Sequence, residues 1–231
     1  DLHNAVRLKE GLPMRPATMV IASTSRKAFV TRPNVILHCG ASGTEGIQGF
    51  MEEVFGKEVE ELTIYDKYGR KVEPTLDVTG INLYLSKKSK LSGIVKRVKE
   101  LVNLHVPIIL SARDKDSAEE LQALLREIGI EADTYTSGTN KDEVDKIVKN
   151  AGTKNKVTII TPRGTRGTDY RIHEDLLKVM LGNERLRKIG MRLISTYFPK
   201  FSAFQIQEQG RVARQGDPGS WEGHWDMEGL E

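Results

Sequence analysis

The sequence predicts an α/β fold in which a parallel β-sheet is covered by helices on both faces. Three observations carry this. From residue 88 onward, short apolar runs alternate with amphipathic stretches of helical period. The apolar runs are compact and bounded by turn residues, as strands buried on both faces are. The loops after VILHC and KVTIIT, and the segment before the tail, are rich in Gly, Thr, Asp or Arg. In open α/β sheets, ligands bind at loops leaving the C-terminal strand ends.

The elements follow in order. Residues 1–34 are mixed, with Pro13, Pro16 and Pro33 interrupting any long element, and ATMVIAS fits a short strand. VILHC (35–39) is a buried strand, followed by a loop and a short helix over 45–56 that puts Phe50, Met51, Val54 and Phe55 on one face. Residues 57–86 are charge-rich, with β-like runs at ELTIY and NLYLS, and read as a connecting segment. A helix over 88–103 places Leu91, Ile94, Val95, Val98, Leu101 and Val102 on one face, with lysines between them. PIILS is a strand. DSAEELQALLREIG is a helix with acidic residues early and Gly129 as its stop. IEADTYT is a strand, KDEVDKIVKNAG a helix closed by Gly152, and KVTIIT a strand. A helical stretch over 174–187 leads to the strand MRLISTY. No repeat or low-complexity tract occurs.

Composition sets bounds. The chain has 231 residues, 38% hydrophobic and 29% charged, as a soluble globular protein has. No apolar run reaches the ~18 residues of a membrane span. It opens on Asp1 without a signal-peptide pattern and reads as a piece of a longer protein. A net charge of +3 argues against a dedicated nucleic-acid binder. The single Cys39, in an apolar run, reads as a buried structural thiol and fits a reducing compartment. The histidines show no zinc-ligand spacing, and no metal ligands are assigned.

Three segments carry candidate chemistry. The loop 40–45, with Gly43 and Thr44, can bond a phosphate through backbone and hydroxyl groups, and equally fits a strand-to-helix turn with Thr44 as N-cap. The loop 161–169 presents Arg166, Gly167, Thr168 and Asp169 directly after a strand and can offer N–H groups, hydroxyls and charge to a polyphosphate. A solvated turn has the same composition. The segment 207–219 starts at Gln207 and carries Arg211 and Arg214. If it is helical, that spacing puts both guanidiniums on one face, a pair suited to the charge of a γ-phosphate. A surface helix ending in a Gly-Asp-Pro-Gly turn fits the same letters. No GxxxxGK[ST] phosphate loop and no DExD-type magnesium motif occur in the chain.

Together these segments resemble the SecA preprotein translocase ATPases, motors with two nucleotide-binding folds related to superfamily 2 helicases. LHNAVRLKEG resembles the return of the chain to the first fold. GASGTEG is similar to the motif III loop GMTGTA, and SARDKDSAEELQALLREIGIEADTYT to the start of the second fold. NAGTKNKVTIITPRGTRGTD resembles the motif V region AGxxGxVTIATNMAGRGTD, and QEQGRVARQGDPGS the motif VI segment QLRGRxGRQGDPGS. The resemblance implies a RecA-like, phosphate-loop-NTPase-type second lobe over 87–220, a remnant of the first lobe over 1–56 and a tail over 221–231. It implies that Arg211 and Arg214 are arginine fingers and that Arg166, Gly167, Thr168, Asp169, Gly43, Thr44 and Gln207 line the nucleotide cleft. ATP with magnesium is the implied cofactor. The implied partners are the first lobe, a preprotein and a membrane translocation channel.

The chain also departs from the pattern. Gln209, Thr165 and Ala213 replace a basic residue and two glycines, and RLISTYFPKFSAFQIQ stands where the family reads HVIGTERHESRRIDNQ. The readings are therefore a translocation-motor piece, a scaffold module that has lost hydrolysis, and a nucleic-acid motor. The charge balance and the lack of a basic stripe with interleaved aromatics argue against the last.

Overall fold

The computed structural model describes residues 76–162, 168–200, 202–213 and 216–229, and in the earlier part of the chain residues 9–11, 49, 52, 53 and 56. The expected strands ATMVIAS, VILHC and ELTIY and the Cys39 thiol lie outside the described residues. The chain divides into two compact units, residues 1–39 with 48–59 and residues 40–47 with 60–231. In the first, residues 49, 52 and 53 are helical, inside the stretch expected to be a helix. Gly56, at φ 62°, donates its N–H to the Glu52 carbonyl at 2.7 Å.

The second unit holds a six-stranded sheet, β1 (Leu76–Tyr84), β2 (Ile108–Ser111), β3 (Ala132–Tyr135), β4 (Val157–Ile160), β5 (Met191–Ser195) and β6 (Gly219–Asp226). The strands lie in the order β1-β6-β5-β2-β4-β3, and every pairing is parallel. Parallel neighbours need crossovers, and helices supply them. These are α1 (Lys87–Asn103), α2 (Lys115–Glu127), α3 (Lys141–Ala151), α4 (Glu174–Leu181), α5 (Glu184–Ile189) and α6 (Ser202–Gln209). The predicted covered parallel sheet is thus the observed architecture. Among the described residues, no helix is long and apolar enough to cross a membrane.

Local chemistry sets the helix ends. Ser86 and Ser89 form a reciprocal capping box at the start of α1. Asp114 accepts from the Ser117 N–H before α2, and Asn140 from the Glu143 N–H before α3. Gly129 leaves α2 at φ 78°. The single helix expected over 174–187 is two, because Gly182 ends α4 and Asn183 caps a new helix through the Leu186 N–H at 3.1 Å. The core runs from Ile94, Val98 and Leu101 of α1 through Ile108, Ile109, Leu110, Val157, Ile159, Leu193 and Ile194 to Trp221, all essentially sealed from solvent.

Two strands lie in segments that the sequence assigns to the connecting stretch and the tail. Leu76–Tyr84, which takes in residues 82–84 of the β-like run NLYLS, forms edge strand β1. Gly219–Asp226, which reaches into the tail, forms β6 between β1 and β5. Alternation along β6 divides its side chains between the two sheet faces. Trp221 and Trp225 share one face. Glu222, His224 and Asp226 share the other, where α1 lies. There Glu222 accepts from Arg97 Nε (2.8 Å) and Nη2 (3.1 Å) and from Arg192 Nη1 (3.0 Å), and Asp226 pairs with Lys90. Burial pushes the Glu222 carboxyl up. The bonds from His224 and Arg97 and the charges of Arg192 and Arg97 outweigh it and hold the group at about 2.

This carboxyl ties α1 to the sheet, so its charge is linked to stability. A carboxyl with a depressed folded pKa stabilises above its ordinary value and loses that contribution as pH falls through the folded one. Urea unfolding is expected to show a loss on the order of 3 kcal/mol from Glu222 as pH drops from ordinary carboxylate values towards its own. Glu222→Gln should flatten that acid limb and destabilise the protein at neutral pH, because two guanidiniums lose their buried anion.

Gly190 is a second fixed point. It sits at φ 53°, and a Cβ there would lie 2.2 Å from the Pro218 carbonyl carbon and oxygen. Gly190→Ala is expected to lower unfolding stability by roughly 2 kcal/mol or more, from strain and from displacement of the β5–β6 start, measured by denaturant melts.

Candidate functional site

The outgoing connections of neighbouring strands β2 and β5 run in opposite directions, β2 towards β3 and β5 towards β6. Such a switch point is where open α/β sheets open a crevice at their C-terminal edge. The connections after β4 and β5 both start at that edge and both return to the opposite one. The first reaches His173, whose N–H bonds the Gly152 carbonyl at 3.0 Å. The second reaches Pro218, whose carbonyl accepts the Met191 N–H at 3.1 Å.

These two connections carry the residues singled out in the sequence other than Gly43 and Thr44, and the structure joins them twice. Arg211 Nη1 donates to the Thr168 carbonyl at 3.2 Å. Arg171 Nε donates to Asp217 Oδ2 at 2.9 Å, with Nη2 at 3.4 Å from Oδ1. Arg211 is only 8% exposed although it follows a surface helix. Its backbone N–H donates to the Glu208 carbonyl at 2.9 Å, so it continues the last turn of α6. Asp169 is half-buried beside Tyr170, whose phenol burial pushes upward in pKa. Gln207 lies exposed on α6. Gly43, Thr44, Arg166, Gly167 and Arg214 lie outside the described residues.

The spacing argument for the two arginines changes here. A helix would put Arg211 and Arg214 on one face, but α6 ends at Gln209 and Ala213 turns to φ 58°. That left-handed conformation favours glycine, because an L side chain pays a steric penalty there. Ala213 N also lies 2.6 Å from where a Cβ on Gly219 would sit, so the two backbones meet closely beside the start of β6.

Three further groups escaped the sequence reading. Arg171 and Asp217 are 46 residues apart, and Asp217 read as a turn residue. Glu208 read as a helix-surface residue, yet it is buried with Trp221 Nε1 at 3.4 Å from its Oε2. Burial pushes its carboxyl up to about 7, against the hydroxyls of Ser111 and Ser195, the Trp221 indole and the charge of Arg211. In place of the family's charged run after β5, Phe198 packs edge-on against Trp225, ring centres 4.9 Å apart. Among the described residues, no three His, Cys, Asp or Glu side chains gather as a metal site.

The fold defines the class first. A six-stranded parallel sheet with this helix arrangement has the RecA-like fold, which solved helicase domains share. The DEAD-box protein SrmB from E. coli, solved with the regulator of ribonuclease activity A, superposes with TM-score 0.51 at 16% identity, covering 65% of this chain and 78% of that one. Domain 2 of the DEAD-box helicase Mss116p, solved on an RNA duplex, superposes with TM-score 0.50 at 16% identity over 65% of this chain and 55% of its own.

The sequence adds a likeness to one family. Residues 79–192 match the SecA P-loop domain. The SecA translocase subunit of Chloroherpeton thalassium is 26% identical over 220 residues, 95% of this chain. By sequence the chain is SecA-like, and at this identity it is divergent from the relatives it resembles. It spans about a fifth of the length of that relative, 19%.

The strain at Ala213 has a measurable consequence. Ala213→Gly relieves the left-handed penalty, offset in part by the added freedom of glycine in the unfolded chain. It is expected to raise stability by about 0.5 kcal/mol, read from the urea midpoint at constant slope.

Proposed function

We propose that this chain is the finger-bearing part of a SecA-like, ATP-driven protein-translocation motor. In that reading Arg211 and Arg214 face the γ-phosphate of an ATP bound by another lobe of the intact protein. The observation that carries it is the bond from Arg211 to the Thr168 carbonyl, which brings the arginine segment onto the Gly-Thr-Asp loop. An arginine serves such a site because its charge is permanent and its planar fork matches phosphoryl oxygens. The Arg171–Asp217 pair and the close approach at Gly219 set where that fork starts from.

Arg166, Gly167, Thr168, Asp169 and Gln207 are assigned to the lining of the same cleft, and Gly43 and Thr44 to the relay between lobes. ATP with magnesium is the cofactor of the intact protein. Magnesium would neutralise charge on the phosphates, its ligands coming from outside this chain. The partners are the phosphate-loop lobe, a preprotein and a membrane channel, and the location is cytoplasmic, peripheral at a membrane. A scaffold role without hydrolysis is the second reading. The apolar Phe198–Trp225 contact, standing where the family has a charged run, favours it.

Turnover measurements decide between them. The 231-residue chain alone is expected to hydrolyse no ATP, since no lysine loop positions the γ-phosphate. In the full-length protein, Arg211→Ala and Arg214→Ala should each lower kcat by ~10³-fold with little change in nucleotide affinity. Unchanged kcat in both variants removes the finger assignment. Absence of turnover in the unmodified full-length protein selects the scaffold.

A further inference from the structure

The sheet has two edges. β3 closes one with four residues, and β1 leaves the other open over nine. Among the described residues, no strand pairs with the outer side of β1. Natural proteins blunt such edges with lysines, prolines or bulges. β1 has a bulge between Val78 and Gly80, and after it the stretch from Gly80 to Leu85 carries no charge and no proline. Ile81 and Leu83 keep 50% and 61% of their surface in water. β5 stops pairing with β6 at Gly223, so residues 82–84 and 224–226 run on as a two-stranded ribbon. A lone two-stranded ribbon is marginal in water until further strands join it.

The register on β6 sorts the side chains of this stretch. Gly80, Asn82 and Tyr84 lie level with Glu222, His224 and Asp226 on the α1 face, and Ile81 and Leu83 with Gly223 and Trp225 on the other. In an antiparallel pair, residues directly opposite share a face. About a two-fold axis at Asn82, Ile81 of one copy therefore meets Leu83 of the other, Gly80 meets Tyr84, and Asn82 meets its own counterpart. The first contact is aliphatic, the second covers a bare glycine with an aromatic ring, and the third sets amide against amide. No like charges oppose each other across this stretch. An axis at Leu83 would run past the end of β1 at Tyr84. We propose that β1 is a pairing edge for a second copy of this chain, the two strands joining antiparallel about Asn82 so that one sheet continues through both copies. The pairing does not depend on the finger reading. Residues 80–84 span roughly 17 Å. That is a small contact beside the ~800 Å² each partner gives a standard interface, so the dimer is of the weak, reversible kind, with Kd on the order of tens of micromolar.

Sedimentation of the 231-residue chain across concentrations is expected to show its mass rising reversibly from one chain to two. Leu83→Lys is expected to weaken the pairing by roughly tenfold or more, because a cation would face the aliphatic row. Its circular dichroism melt should stay that of the parent, since the side chain is mostly in water. Ile81→Lys is the second variant, should Leu83→Lys disturb the fold. The register is read by disulfide formation in a Cys39→Ser background, which removes the single native thiol. Asn82→Cys is expected to cross-link two chains on mild oxidation, since position 82 faces itself across the axis. Val78→Cys is expected to stay single, because its counterpart in the other copy lies far along the strand. A chain that stays monomeric at about 500 µM overturns the proposal and leaves the edge to a different partner. A dimer whose Kd is unchanged in both lysine variants overturns it too, by placing the contact on another surface. So does a dimer in which Asn82→Cys fails to cross-link, or cross-links no better than Val78→Cys.

Discussion

The backbone contact between Gly190 and Pro218 governs the half of the sheet that carries the arginine segment. At this point the chain enters β5 and β6 side by side, with the Met191 N–H bonded to the Pro218 carbonyl and Met191 level with Gly219. Glycine is required at 190 because a Cβ would occupy the Pro218 carbonyl. Once the two strands start level, the connection after β5 must leave the C-terminal edge, form α6 and return the length of the strand. Arg211, Ala213 and Asp217 lie on that return, and their positions follow from its end points. The left-handed turn at Ala213 is the local cost of fitting the return beside Gly219.

Two carboxyls near β6 show how the same side chain takes opposite characters. Glu222 is desolvated but bonded by Arg97, Arg192 and His224, and these hold it at about 2. Glu208 is desolvated among hydroxyls and an indole, and burial raises it to about 7. Burial penalises both charges, and the count of strong donors decides the outcome. Glu222 therefore acts as a fixed structural anion under α1. Glu208 acts as a group whose charge is negotiable at neutral pH, placed on the turn that leads into Arg211.

The sheet was legible wherever apolar runs were compact. Ile108–Ser111, Val157–Ile160 and Met191–Ser195 all fall inside runs the sequence marks, and the polar caps Asp114 and Asn140 mark the helices between them. β6 was not legible. Its core residues are two tryptophans separated by Glu, Gly and His, without the β-branched residues that signal a strand. Its polar residues are buried because Arg97, Arg192 and Lys90 meet them from elsewhere in the sequence. Partners 30 or more positions away leave no local trace. The same applies to the candidate site. Thr168 and Arg211 stood out by composition and resemblance, whereas Arg171, Asp217 and Glu208 acquire their roles only through contacts the fold creates.

That difference bears on what a departure from a family pattern means. Ala213 replaces a glycine at a backbone position that still turns left-handed, so the conformation is kept and strain is accepted. Phe198 replaces charge with an aromatic contact that seals Trp225. Glu208 goes the other way and puts an ionisable group into a sealed layer. A loss of function alone would relax such positions towards whatever packs best, and a buried carboxyl is a poor choice by packing. The apolar contact after β5 and the buried Glu208 carboxyl thus depart from the family pattern in opposite directions, one giving up charge and the other burying it.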